Sequence, residues 1–199
     1  MEANRAQRLA IAADIVGQLF LEAPRPALAA ALHDEKFLRD WPLDDDHSQA
    51  ATQMLRSASP DSADELKRDH LYLFTGIGAP LAQPYESPYF SPDGLVFDSA
   101  TAEVAEIYRQ VGFSTGTDAM PADHIGFQLL CVGHIARQIT ALAPSVGAYT
   151  EILRSFVDKH LGRFSEHVLV SVEEHARSSI YQALPGLTRG VITTTLTLC

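Results

Sequence analysis

The sequence predicts an all-α fold: one helical bundle of about eight to ten helices, broken by a long proline-rich loop. Three observations predict it. In almost every periodic segment, apolar residues recur at spacings of three and four, the period of a helix with one buried face. No run alternates with period two for long enough to build a sheet. The chain has 199 residues, 46% of them apolar and 20% charged, which suffices for a sizeable core without disulfides or metal.

The first helix is marked by Leu9, Ala12, Ile15, Val16, Leu19 and Phe20 on one face, and Pro24 ends it. An Ala-rich helix from about Pro26 to His33 follows, because proline is tolerated in a first turn. Asp44, Asp45 and Asp46 then read as a solvated helix start, where carboxylates favour the positive end of the macrodipole. A partner-facing acidic patch is the sharper alternative. Ser59 with Pro60 is the expected start of the next helix, whose apolar face carries Leu66, His70, Leu73 and Phe74. Gly76 and Gly78 are expected to end it.

From Ala79 to Asp98 the helical pattern fails. Pro80, Pro84, Pro88 and Pro92 remove backbone donors and disfavour helix before them, so an extended loop is predicted, with Tyr85, Tyr89 and Phe90 along it. Its aromatics argue against a solvated linker. It is also where the chain would cross between two lobes, if residues 1–199 form two lobes instead of one undivided domain.

Helical stripes resume at Val104–Val111, Ile125–Ile139, Ile152–Phe164, Val168–Val172 and Ile180–Val191, with a fraying tail expected after that. No internal repeat is visible.

Charge and cysteines narrow the function classes. Twenty-five acidic residues against 15 basic ones give a net charge of -10. This disfavours a nucleic-acid binder, which needs clustered Lys and Arg, and favours a cationic partner such as a basic peptide. Cys131 and Cys199 cannot form a disulfide framework or, by themselves, a structural zinc site, so a reducing compartment is expected. Asp14 and Glu22 interrupt the N-terminal apolar stretches, and no window approaches ~18 consecutive apolar residues. A cytoplasmic protein that is not integral to a membrane is expected.

Some motifs resemble catalytic chemistry and fail on context. Gly112-Phe-Ser114-Thr-Gly116 matches the nucleophile elbow of hydrolases, but a helix precedes it where the elbow needs a strand. A small hydrolase using Ser114 or His124 is kept as an alternative, and so is a GTP-binding helical regulator. Gly76 and Gly78 lack the Lys-Ser/Thr of a phosphate-binding loop. Cys131 and His134 share a helical face but supply only two ligands. His160, His167 and His175 are read as packing residues. Asp123 can cap a helix starting at His124, with Pro121 making the entry rigid.

Two patterns then coincide. Leu73-Phe74-Thr75-Gly76 leads into the loop Pro84-Tyr85-Glu86-Ser87-Pro88-Tyr89, and Pro121-Ala-Asp123-His124 follows after a helix ending Tyr108 to Gly112. In this order and spacing they resemble the TorD/DmsD family of redox-enzyme maturation chaperones, over roughly residues 70–190. Val157 to Phe164 is similar to a later helix of that family. The resemblance implies an all-α fold and a role without catalysis. It implies binding of the twin-arginine signal peptide of a partner oxidoreductase, usually a molybdopterin enzyme. The partner would be held in the cytoplasm until its cofactor is inserted, then passed to the twin-arginine translocase. The resemblance places the peptide pocket on Leu73, Phe74, Tyr85, Tyr89, Pro121, Asp123 and His124. It also implies weak GTP binding in some relatives, and a monomer or domain-swapped dimer. No catalytic or metal-ligating residue and no bound cofactor are expected. Two positions often held by Trp are Tyr85 and Tyr89 here, and Pro88 replaces a small aliphatic residue; both departures bear on partner choice.

The chemistry of such a site can be stated from the residues. An arginine pair followed by an apolar stretch needs carboxylates and an aromatic groove. Asp123 and Glu86 are the carboxylates nearest the motifs.

Overall fold

The computed structural model describes residues 2–76, 78–117, 119–141 and 146–198. The helices are α1 (Glu2–Leu21), α2 (Pro26–Ala31), α3 (Glu35–Arg39), α4 (Asp46–Ser57), α5 (Ala63–His70), α6 (Ser87–Phe90), α7 (Ser99–Val111), α8 (Ile125–Ala141), α9 (Val146–Phe156), α10 (Gly162–His175) and α11 (Ser179–Leu198). One π turn, Leu71–Thr75, continues α5, and a second, Val157–Leu161, joins α9 to α10. The described residues contain no strand. The fold is all-α, as the periodicity predicts.

Helices α1 and α8 form the most extensive contact of the bundle, with α11 packed on α1 and α4. Their backbones meet at glycine. A Cβ on Gly126 would lie 2.7 Å from Leu21 Cγ and 2.8 Å from the Gly17 carbonyl oxygen. Around this contact Leu9, Val16, Leu19 and Phe20 of α1 meet Ile125, Leu129, Val132 and Ile135 of α8 in one continuous apolar core. The same core takes in Ile180, Leu184, Leu187 and Val191 of α11.

Several boundaries differ from the sequence expectation, each for a local reason. The fifth helix starts after Ser62, not Ser59. Ser62 and Glu65 cap each other's backbone N–H groups, a reciprocal arrangement that the Ser59-Pro60 pair does not make. The aspartate run does start α4, with the Asp45 carboxylate accepting the Ser48 N–H at 3.0 Å. The stripes at 152–164 and 168–172 belong to one continuous helical path, because the π turn absorbs a register shift without a break. The C-terminal tail stays helical to Leu198. Thr194 and Thr195 are buried, and Arg5 of α1 bonds both the carbonyl and the hydroxyl of Thr197.

The proline-rich loop is not uniformly extended. The π turn after α5 leaves carbonyls that the loop uses: Leu81 N–H donates to Tyr72 O at 3.1 Å and Ala82 N–H to Leu73 O at 2.8 Å. Gly76 makes the turn with φ 71°, a conformation that suits glycine. The loop then forms the one-turn helix α6 and continues to α7.

Candidate functional site

The loop and the entry to α8 are built against each other. Glu86 N–H donates to Asp123 O, and Ile125 N–H to Pro84 O at 2.8 Å, forming an antiparallel bridge between Tyr85 and His124. This is the only β pairing among the described residues. It lets two irregular segments satisfy each other's backbone groups.

Two buried carboxylates fasten the bridge. The Asp123 side chain is fully buried. Its Oδ2 accepts the Ser87 N–H at 2.8 Å and the Ser87 hydroxyl at 2.5 Å, and its Oδ1 accepts the Thr101 hydroxyl at 2.9 Å. Asp123 therefore holds α6 and α7 together. The capping role expected of it passes to its neighbour: His124 Nδ1 accepts the Gly126 N–H at 3.0 Å, and α8 begins at Ile125. Glu86 is also fully buried. It accepts from Gln128 Nε2 at 2.9 Å and faces His160 Nδ1 at 3.2 Å. Opposite a carboxylate, Nδ1 of His160 is the donor. Gln128 also donates to the Asp123 carbonyl, linking the two carboxylate clusters.

The electrostatics follow from burial. His124 is pushed down to about 3, first by burial and then by the nearby charge of His70, so its ring is neutral with the proton on Nε2. His70 is lowered for the same leading reason. Tyr89 is pushed up to about 12 by burial, and its hydroxyl donates to Gln83 O at 2.9 Å.

The expected site residues thus fall into two groups. Pro121, Asp123, His124 and Glu86 are buried and form the seat of the loop. Leu73 and Phe74 lie in the core behind it, with the Phe74 ring on Phe20, His70 and Tyr181. Tyr85 and Tyr89 are half-buried: Tyr85 sets its edge against His124 at 4.9 Å, and Tyr89 lies on Phe164 and His167. Asp123 and Glu86, the carboxylates nearest the motifs, are both buried, and their oxygens accept from internal donors.

Sequence reasoning missed Ser87, Thr101, Gln128 and His160 as partners in this network. Gln128 carried a visible signal, a polar side chain between Phe127 and Leu129 on an apolar stripe. His160 reads as a packing residue because a histidine among apolar residues looks the same in sequence whether it packs or pairs.

The catalytic alternatives lose their geometry. Ser114 is exposed on a loop after α7, where Gly112 caps the helix with φ 69°, and its hydroxyl accepts the Gly116 N–H. His124 has its Nδ1 occupied and too little proton affinity to act as a base near neutral pH. His134 bonds the Val111 carbonyl at 2.9 Å, while burial pushes the Cys131 thiol up.

A family model described as nitrate reductase delta subunit matches residues 41–169, which contain the whole seat. The chain belongs to that family. It is the TorD/DmsD grouping that the loop and helix-entry motifs resemble. Among curated proteins, the chain is 22% identical over 194 residues to a probable Tat proofreading chaperone DmsD of Haemophilus influenzae, covering 93% of this chain and 88% of that protein. The family match includes α4 to most of α10 and leaves out α1, which packs on α8, and α11, which packs on α1 and α4. No helix among the described residues is long and apolar enough to cross a membrane.

Proposed function

We propose that this protein is a cytoplasmic chaperone for a redox enzyme. It binds the twin-arginine signal peptide of a partner oxidoreductase, one that carries a molybdopterin cofactor, and holds it until the cofactor is in place. The partner then passes to the twin-arginine translocase. Family membership and the likeness to a Tat proofreading chaperone support the class of function.

The observation that carries the reading furthest is the seated loop. Glu86 and Asp123 spend two buried carboxylates on fixing Tyr85, Tyr89 and the chain between them against α8. Unpaired, each carboxylate would be costly inside a core, so the pairing is a strong positional constraint. It displays an aromatic segment whose rings give wide contact at low entropy cost. The charge of -10 steers a basic leader toward the surface.

The protein acts by holding, not by catalysis. A serine-reactive probe should leave Ser114 unlabelled; labelling there would favour the hydrolase. The direct test is recovery of the tagged protein from its native cell. We expect a co-purifying oxidoreductase precursor whose leader contains an arginine pair. Recovery only of partners lacking such a leader would overturn the reading.

A further inference from the structure

The loop from α6 to α7 reaches a tip at Leu95, Val96 and Phe97. All three side chains are exposed, Leu95 at 61% and Phe97 at 68%. Consecutive apolar side chains exposed at a surface mark contact sites. Phe97 also adopts φ 65°, the left-handed region that a bulky residue rarely enters. That strain turns the backbone at the most exposed aromatic of the tip.

The base of this loop is pinned. Ser87 on one side and Thr101 on the other both bond Asp123. Gly94 turns the chain with φ 66°, its N–H donating to Ser91 O at 3.1 Å, and the Asp98 carboxylate accepts the Ser99 N–H to start α7. The tip is therefore an apolar projection on fixed feet.

The chain segment that carries the tip has one sign of charge. From Leu71 to Tyr108 the chain contains no Lys, Arg or His, whereas Asp93 and Asp98 flank the tip and Glu103 follows one turn into α7. All three carboxylates are exposed. Arg163 of α10 lies over the nearby Phe90 ring at 3.9 Å, so an aromatic of this loop already receives a guanidinium.

We propose that Leu95, Val96 and Phe97 grip the apolar stretch of the leader peptide, with Asp93, Asp98 and Glu103 facing its basic end. This rests on the signal-peptide reading above and adds residues to it. A second copy of the chain is the poorer occupant. Tip-to-tip pairing would oppose like charges, and a few exposed side chains offer a few hundred Å², short of the ~800 Å² per partner of a stable dimer.

The test is the affinity of a synthetic peptide with an arginine pair followed by a Leu/Ala-rich stretch, measured by fluorescence anisotropy. Wild type, the double variant Leu95→Ser/Phe97→Ser, and the control Ile11→Ser at an exposed site on α1 are compared. The double variant should bind about tenfold or more weakly with unchanged thermal stability, and the control like wild type. A peptide whose apolar stretch is replaced by Gly/Ser should bind both proteins alike. Equal affinity of wild type and double variant for the apolar peptide would overturn the grip and leave the chaperone reading standing. No binding by wild type would overturn both. A wild-type dimer in sedimentation that the double variant dissociates would assign the tip to self-association and overturn the proposal.

Discussion

At the scale of single residues, Asp123 and His124 illustrate how a motif can be legible while its physics is not. Their adjacency behind Pro121 is plain in the sequence, and a cap is the natural reading. What the sequence does not reveal is that Ser87, 36 positions earlier, supplies two of the donors for Asp123. Long-range donors leave no spacing signature. Asp123→Ala should therefore act first on stability. It orphans the Ser87 N–H and leaves the hydroxyls of Ser87 and Thr101 with only each other at 2.9 Å, and should destabilise by about 2–4 kcal/mol, read as a lower urea midpoint. His124 gives a pH prediction. Its folded pKa is depressed to about 3, and the unfolded ring titrates near 6.5. Below about pH 6.5 the unfolded chain takes up a proton that the folded chain does not. Stability is thus complete above that pH and falls on acidification, by up to about 1.4 kcal/mol per unit. His70 adds in the same direction. His124→Asn, which can still accept the Gly126 N–H, should flatten the slope between about pH 4 and 6 in urea titrations.

At the scale of elements, the helices were legible because their apolar period is strong, and the boundaries were less so because caps compete. Ser59-Pro60 and Ser62-Glu65 both look like starts; the reciprocal cap at Ser62 prevails because it satisfies two donors. The π turns were not legible. They arise where the chain leaves α5 for the loop and where α9 meets α10, and no local residue type demands them. The π turn Val157–Leu161 carries His160 to Glu86, so it contributes directly to the seat. The α1–α8 contact was also hidden, since Gly17 and Gly126 read as isolated helix glycines. Gly126→Ala should separate the two backbones and destabilise by about 1–3 kcal/mol. Gly147→Ala in α9, where an added Cβ meets nothing within 4 Å, should be neutral or stabilising by less than about 1 kcal/mol. Thermal unfolding of the pair separates close packing from helix propensity.

At the scale of the molecule, the net charge of -10 and the loop act together. The two carboxylates nearest the motifs are buried and bonded internally, so under the proposed function attraction of a basic leader falls to the exposed carboxylates and to the field of the whole protein. Surface attraction of this kind is screened over about 8 Å at physiological salt, so peptide binding should weaken measurably between low and high salt. A site built on Glu86 and Asp123 directly would be less sensitive, being shielded from solvent ions. The most direct measurement is a titration of the wild-type protein with a synthetic leader containing an arginine pair and its apolar stretch, beside the same peptide with both arginines replaced by glutamine. The account predicts micromolar or tighter binding of the first, weakened by salt, and clearly poorer binding of the second. Equal affinity for the two peptides, or no binding of either, would contradict it.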